Sequence, residues 1–197
     1  MIMAQKKEAS LIKLVVVLTA IALVAGLALT GVYALTKDPI ELSQKQKKEK
    51  ALNDVLPGFE GTITDTVVNY EGEDILVHKA INKDGTLFGM GVETFTKKAF
   101  AGRFDLMVGF DADGVILNTE VIKAGETPGL GDKINKSKSD FAKQFNNQDP
   151  AEYKLQVTKD GGDVDAITAA TISSRAYCDA VQRAYNVFKS VKEACHE

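Results

Sequence analysis

The sequence predicts an α+β protein with a membrane anchor, and three observations support this. A run of 22 residues without a charged side chain, Leu14 to Leu35, lies near the N-terminus. From Gly61 onward, short β-rich runs alternate with glycine and aspartate turn residues. The last long segment, Ile172 to Ala194, repeats apolar residues at three- and four-residue spacing, as an amphipathic helix does. Strand runs first and a helix last indicate an α+β domain with an antiparallel sheet, not a doubly wound parallel sheet.

The uncharged run is long enough to cross a membrane. As a helix that rises about 1.5 Å per residue it spans roughly 33 Å, and the hydrocarbon core is about 30 Å thick. The alternative is a cleaved signal peptide, because Lys6, Lys7 and Lys13 precede the run and Val32 to Ala34 resembles a cleavage site. The apolar region of a signal peptide is usually about 7–15 residues long, so a retained transmembrane helix is favoured.

The segment after the run is charged and favours a helix up to Pro57. We interpret it as a solvated juxtamembrane helix that serves as a spacer, with contact between its lysines and lipid headgroups as the alternative. The lysines on both sides of the run leave the topology open, because their count leans toward a cytoplasmic domain while a basic N-terminal region is also typical of export. The chain therefore divides into a stub (1–13), a transmembrane helix (14–35), a juxtamembrane linker (36–58) and a domain (59–197).

Five strands are predicted in the domain, and a tight turn separates the last two. Asp111 to Gly114 is a strong hairpin signal, with the glycine placed for a positive φ. The predicted strands are Thr62–Tyr70, Ile75–Ile81, Leu87–Phe95, Arg103–Phe110 and Val115–Val121.

Three further elements are expected after the fifth strand. Ser139 to Asn147 should form a short helix with two phenylalanines on one face, and Leu155 to Thr158 is a candidate sixth strand. The final helix should begin near Ile172, with Ser173 or Ser174 as its N-cap.

Composition argues against several classes of function. A formal net charge of -3 provides no basic surface for nucleic acid, and two histidines and two cysteines are too few for a metal site of those residues. Cys178 lies in the predicted last helix and Cys195 directly follows it. A continuous helix would separate them by about 25 Å, too far for a disulfide, so a packed residue and a tail residue are expected. His78 and His196 are expected on the surface. No catalytic triad or dinucleotide-binding fingerprint is present, so no catalytic residue is assigned.

The segment from Asp165 to Thr171 is a turn of small residues that enters the last helix. Small side chains let a bulky group approach the backbone, and the free N–H groups at a helix N-terminus favour a phosphate. A hydroxyl at Thr171 is well placed to hold such a group. The alternative is that the hydroxyls of this segment only cap the helix, and local chemistry alone favours capping.

A second segment, Glu126 to Ile134, contains one proline and two glycines within six residues. This composition predicts a rigid loop with an exposed backbone, suited to lying against a planar ligand. An ordinary connection between a strand and a helix is the alternative.

These two segments resemble motifs of a known family. Asp165 to Thr171 resembles the flavinylation motif of FMN-binding domains, Asp-x-x-Ser/Thr-Gly-Ala-Ser/Thr, in which the last hydroxyl receives FMN from a flavin transferase. Asp165, Thr168, Ala170 and Thr171 match, and Ala169 stands where the family usually has glycine. If this position requires a positive φ, the alanine costs free energy.

The loop Glu-Thr-Pro-Gly-Leu-Gly, which begins at Glu126, resembles a hallmark of the G subunit of the Rnf electron-transport complex. That family is related to the C subunit of the sodium-pumping NADH:quinone reductase. A histidine often lies two positions before the glutamate, where this chain has Ala124. The resemblance covers nearly the whole chain, including the anchor, the hairpin, the loop and the acceptor motif in that order.

The resemblance implies a site and a cofactor. FMN would be esterified through its phosphate to Thr171, and Asp165 would orient the acceptor hydroxyl or a metal ion during the transfer. The remaining residues implied to contact the phosphate, the ribityl chain or the flavin ring are Thr168, Ala169, Ala170, Ile172, Glu126, Thr127, Leu130 and Lys133.

The resemblance also implies a role within a complex. The chain would relay electrons beside other membrane and redox subunits that move electrons between ferredoxin and NAD, coupled to Na⁺ or H⁺ transport. The stub would be cytoplasmic, the main domain would lie outside the cytoplasmic membrane, and the isolated chain would have no activity of its own. Two alternatives remain: a C-type subunit of the quinone reductase, and a membrane-tethered binding module that carries no flavin.

Overall fold

The computed structural model describes residues 11–194, and the two helices and five strands follow the predicted order. The chain divides into two compact units, 1–46 and 47–197, and the boundary between them falls inside the first helix. The elements are α1 (Leu11–Val55), β1 (Gly61–Tyr70), β2 (Glu73–Asn82), β3 (Leu87–Ala99), β4 (Gly102–Asp111), β5 (Ile116–Lys123) and α2 (Thr171–Ala194). Three short 3₁₀ turns, Gly131–Ile134, Phe141–Phe145 and Thr158–Asp160, lie between β5 and α2.

Helix α1 is one continuous element of 45 residues, so the predicted membrane span and juxtamembrane helix are not separate helices. Pro39 lies inside it. A proline removes one backbone donor, and here the helix continues on both sides of it. The residues from Leu11 to Gln46 are all exposed, including the apolar run. By length and composition α1 can cross a membrane.

The five strands form one antiparallel sheet in sequence order, β1-β2-β3-β4-β5, so each strand pairs with the next along the chain. All five predicted strands are confirmed. At the predicted hairpin, Asp111 Oδ1 accepts the backbone N–H groups of Asp113, Gly114 and Val115 at 2.8–2.9 Å. Gly114 has a φ of 104°, which is the conformation that favours glycine there.

Helix α2 covers one face of this sheet and packs mainly on β3. Its apolar residues enter the main core, where Tyr177 is fully buried among the rings of Phe104, Phe141 and Phe145. The Tyr177 hydroxyl donates to Thr119 Oγ at 2.7 Å, so the buried polar atom is satisfied. The predicted amphipathic helix is therefore confirmed.

The end of α1 covers the other face of the sheet. Ala51 and Val55 are buried against Met107, on β4, so the prediction of a solvated spacer is wrong for these last turns. Two glycines permit the approach, because a Cβ at Gly109 would lie 2.7 Å from Val55 C and one at Gly91 would lie 2.6 Å from Leu52 Cδ1. The bounds of the predicted linker and domain remain a prediction.

Two of the smaller predicted elements differ from the structure. Phe141 and Phe145 lie in a 3₁₀ turn, shorter than the predicted helix, but both are buried with their rings 5.7 Å apart. Leu155 to Thr158 forms no strand: Val157 makes a single parallel bridge to Val164. One bridge of this kind closes a loop and adds no strand to the sheet.

The predicted serine cap is also wrong, because α2 begins at Thr171 and both serines lie in its first turn. Ser174 Oγ accepts the Ile167 N–H at 2.9 Å and donates to the Ala170 carbonyl at 3.1 Å. This serine therefore fastens the turn that precedes the helix.

Cys178 is a packed core residue with a free thiol, as expected, and burial raises its pKa to about 12. A thiol with so high a pKa is unreactive at neutral pH. Cys195 and His196 lie outside the described residues.

His78 is buried, which contradicts its prediction as a surface residue. It is 7% exposed, its Nδ1 lies 2.6 Å from Asp65 Oδ1, and its Nε2 lies 3.4 Å from Glu93 Oε1. Lys48, in the last turns of α1, contacts the other oxygen of Glu93 at 2.5 Å. Burial opposes the charge on the imidazole, but the hydrogen bonds of Glu93 and Asp65 outweigh burial and raise the pKa of His78 above 6.5.

We expect this cluster to make stability depend on pH. Because the pKa of His78 is raised in the folded state, its contribution is fully present below the unfolded value of 6.5 and is lost as the pH rises through the folded pKa. Chemical denaturation of the full chain in detergent at several pH values measures this effect. A His78→Gln variant should lack the decline above pH 6.5, and an unchanged decline in that variant would contradict the assignment.

Candidate functional site

The turn before α2 contains a strained alanine. Ala169 has a φ of 62°, in the left-handed region, which costs a residue with a Cβ about 1–2 kcal/mol. The turn is closed by the Ala170 N–H, which donates to the Ile167 carbonyl at 3.0 Å. The family motif usually has glycine at position 169. The positive φ found there is a conformation that glycine adopts without strain.

An Ala169→Gly variant should be more stable than the wild type by about 0.5–1 kcal/mol, because glycine adopts the left-handed conformation without strain. The gain is smaller than the strain, since glycine also has more freedom in the unfolded chain. Thermal unfolding of the full chain in detergent measures the difference. Ala170→Gly is the matched control: that position has no positive φ, and glycine there should lower the stability.

The first turn of α2 presents free backbone donors. The first bond of the helix joins the Ser174 N–H to the Ala170 carbonyl at 3.0 Å. The N–H groups of Thr171, Ile172 and Ser173 precede it and make no hydrogen bond among the described residues. Such donors, together with the helix dipole, favour an anion. Thr171 itself is half-buried at this end.

The Glu126 loop folds back on itself beside this turn. The N–H groups of Leu130 and Asp132 both donate to the Thr127 carbonyl, at 3.2 and 3.3 Å, and Gly129 has a φ of 77°. A 3₁₀ turn follows over Gly131–Ile134. Local backbone hydrogen bonds therefore close the loop on itself, in agreement with the predicted rigid loop, while the Glu126 side chain bonds to distant segments.

Glu126 joins three parts of the chain. Its side chain is buried, Oε1 accepts the Ala101 N–H at 3.0 Å, and Oε2 accepts the Ser173 hydroxyl. Gly131 packs against this pair, since a Cβ there would lie 2.6 Å from Ser173 Oγ. The carboxylate thereby links the β3–β4 turn to the first turn of α2.

These segments enclose a pocket of about 480 Å³. A volume of this size is within the range of small-molecule and cofactor sites. Three of its lining side chains are large, apolar and exposed: Phe100 (67%), Leu130 (42%) and Ile172 (49%). The lining residues are Phe100, Glu126, Thr127, Leu130, Gly131, Ala169, Ala170, Thr171, Ile172 and Ser173.

Seven of the ten predicted site residues line this pocket: Thr171, Ala169, Ala170, Ile172, Glu126, Thr127 and Leu130. Thr168, which precedes the lining residue Ala169, and Lys133, two residues beyond the lining residue Gly131, do not line the pocket themselves. Asp165 is exposed outside it, and its peptide group pairs with the side-chain amide of Gln144 at 2.8 and 3.2 Å. The contact roles of all ten residues remain predictions.

Phe100, Gly131 and Ser173 line the pocket without having been predicted as site residues. No signal in the sequence marked Phe100, because a single apolar residue between two predicted strands is common. The sequence predicts Ser173 or Ser174 as a helix cap, and the contact of Ser173 with Glu126 depends on the tertiary structure.

A larger pocket of about 640 Å³ lies on another side of α2 and contains none of the predicted residues. The ion pair of Arg175 with Asp160, at 2.6 and 2.7 Å, lies in its wall, and the unreactive Cys178 lines it. No metal-binding group of three or more His, Cys, Asp or Glu side chains occurs within residues 11–194. The 480 Å³ pocket therefore remains the candidate site.

Comparison with known proteins identifies the family of the domain that contains this pocket. The family model described as "FMN-binding domain" matches residues 100–186, from Phe100 through most of α2. A second model, the RnfG N-terminal region, matches residues 1–55. The two matches together include the anchor helix, the Glu126 loop and the Thr171 turn.

Curated relatives match over most of the chain. The G subunit of the ion-translocating oxidoreductase complex of Shewanella amazonensis is 33% identical, over 95% of this chain and 92% of that protein. The protein of the same name from Haemophilus influenzae is 33% identical, over 83% of each chain. The crystal structure of Shewanella oneidensis NqrC aligns with 64% of this chain and 70% of that chain, at 19% identity and a TM-score of 0.45. On the identity and coverage of the curated relatives, this chain belongs to the family of G subunits of the ion-translocating oxidoreductase complex.

Proposed function

We propose that this chain carries FMN covalently, through a phosphate ester to Thr171, and relays electrons between neighbouring redox subunits of an ion-translocating complex. Its family makes it a membrane-anchored, FMN-binding electron-transfer subunit of such a complex. The observation that supports the covalent site is the 480 Å³ pocket, which brings Thr171 and the Glu126 loop to one place.

The pocket offers what each part of FMN requires. The N–H groups of Thr171, Ile172 and Ser173 precede the first bond of α2 and suit the phosphate. The apolar side chains of Phe100 and Leu130 suit the ring system. When bound, FMN supplies the electron-transfer chemistry, while the chain holds it in place and excludes water from part of its surface.

Attachment is a phosphoryl transfer that a separate flavin transferase carries out. The Thr171 oxygen bonds to the phosphorus of the FMN half of a flavin dinucleotide, and the phosphoanhydride bond breaks. The threonine proton leaves with the nucleoside monophosphate. Asp165 is not part of the pocket lining, so we assign it to recognition of the exposed turn by the transferase.

The test is the intact mass of the full chain. Protein made in the membrane together with a flavin transferase should gain one FMN less one water and should fluoresce in a denaturing gel. Protein made without the transferase should have the unmodified mass. A chain that is exported and exposed to active transferase, yet remains unmodified and colourless, would show that it is a binding module without covalent flavin.

We also propose that the domain lies on the extracytoplasmic side, with residues 1–13 in the cytoplasm. The lysines around the span do not decide this, and family resemblance is the support. Protease added to spheroplasts should digest the domain and leave the anchor. A domain that is protected until the membrane is lysed would place it in the cytoplasm.

A further inference from the structure

The proposed function does not explain the role of Glu126, a buried side chain in the pocket wall. Glu126 is 7% exposed, and both of its oxygens are occupied by protein donors, the Ala101 N–H and the Ser173 hydroxyl. It takes part in no ion pair among residues 11–194. Two of the roughly four acceptor sites of the carboxylate are therefore used by protein donors.

The two donors belong to two different segments that border the pocket. Ala101 follows Phe100 in the two-residue turn that joins β3 to β4, where Ala99 pairs with Gly102. Ser173 is two residues beyond Thr171 in α2. The carboxylate thus spans from the Phe100 turn to the acceptor end of the helix.

Phe100 lies at the tip of the β3–β4 turn with an exposed ring. Its ring makes no aromatic contact with a described residue, and it is 67% exposed although it lines the pocket. The bond of the adjacent Ala101 N–H to Glu126 ties the tip of the turn to the Glu126 loop, in addition to the pairing of Ala99 with Gly102 that closes the turn. A large exposed aromatic ring held at the mouth of a pocket is suited to cover a planar ligand.

We propose that Glu126 is a positioning residue that holds Phe100 as the apolar cover of the bound flavin ring, and is not itself a flavin ligand. The identity of the covered ring rests on the proposed function. The hydrogen bond between Glu126 and Ala101 does not depend on that function. The link belongs to the protein without cofactor and is measurable there.

The first measurement is amide hydrogen exchange in the full chain without flavin. Loss of the charged hydrogen bond in Glu126→Ala should speed the exchange of peptides that contain Ala101 by about ten-fold. Glu126→Gln should preserve the slow exchange, because its amide oxygen accepts from Ala101 and its amide nitrogen donates to Ser173 Oγ. In Phe100→Ala the Ala101 amide should also exchange slowly, because the hydrogen bond from the Ala101 N–H to Glu126 does not involve the ring.

The second measurement is quenching of flavin fluorescence by iodide in the flavinylated full chain. Removal of a cover from one of the two faces of a planar ring should raise the quenching constant about two-fold. We expect this rise in both Phe100→Ala and Glu126→Ala, and wild-type quenching in Glu126→Gln. Ile63→Ala is the matched control, because Ile63 is an exposed apolar residue of β1 that does not line the pocket.

Two results would overturn the proposal. If Glu126→Gln shifts the flavin spectrum or reduction potential, and its quenching constant rises as in Glu126→Ala, then the charge of Glu126 acts on the flavin directly. If Phe100→Ala leaves quenching unchanged, the ring is not covered by Phe100. Should Glu126→Ala fail to fold, the glutamine and Phe100 variants still decide the question. A wild type that takes no flavin contradicts the proposed function instead, and the exchange experiment then tests the Ala101 link alone.

Discussion

A Thr171→Ala variant is expected to carry no covalent flavin when it is made with a flavin transferase. The side-chain oxygen is the atom that would form the ester, so its removal leaves nothing to accept the phosphoryl group. Thr171 is half-buried in the first turn of α2 and lines the 480 Å³ pocket. Intact mass and gel fluorescence should show complete loss, while far-ultraviolet circular dichroism should show the wild-type fold.

Two matched variants test whether a hydroxyl is required and whether it must be at position 171. Thr171→Ser retains the hydroxyl and should be flavinylated, at the same or a lower level. Thr168→Ala removes the neighbouring hydroxyl, which is exposed and does not line the pocket, and should remain flavinylated. If Thr171→Ala still carries covalent flavin and Thr168→Ala does not, the ester is at Thr168 and the assignment to Thr171 is wrong.

Replacement of Gly109 by valine should release the end of α1 from the sheet. A Cβ at Gly109 would lie 2.7 Å from Val55 C and 2.9 Å from Val55 Cβ, and backbone atoms cannot turn aside as a side chain can. Overpacking of this kind usually costs about 1–3 kcal/mol, and here we expect at least about 3 kcal/mol because the buried contacts of Ala51 and Val55 are lost as well.

Hydrogen exchange and thermal unfolding of the full chain in detergent measure this effect. Peptides over residues 47–56 should exchange faster in Gly109→Val. Gly91→Ala should cost less, because its nearest contact is a methyl of Leu52 that can move. Gly125→Ala is the control without a clash, as its Cβ would meet only Ala101 Cβ at 3.7 Å. Unchanged exchange over 47–56 in the valine variant would show that the helix end is not held by this contact.

The correct predictions concern features that depend on residues close together in the chain. The strands follow from alternation and turn residues, and the Asp111 hairpin closes with bonds over two to four residues. The positive φ of Ala169 was anticipated only as a condition of the resemblance, and the structure shows that the condition is met. Local patterns identify such features because the interactions that form them are local.

The wrong predictions concern residues whose partners lie far along the chain. His78 was assigned to the surface because its neighbours in sequence do not reveal Asp65 across the sheet or Glu93 on the next strand. The end of α1 has the charged composition of a solvated helix, and its burial depends on glycines in β3 and β4. A sequence pattern shows which side chains need burial, but not which backbone leaves room for them.

The sequence alone predicted the membrane anchor, the five strands and the final helix, and the family resemblance added Thr171 as the expected acceptor. The tertiary structure decided which of the candidate residues share a pocket, and it revealed that Glu126 links the β3–β4 turn to α2. That link joins residues 25 and 47 positions apart. Hydrogen bonds over such separations form only when the sheet has brought the β3–β4 turn to α2, because no local preference of the chain specifies them.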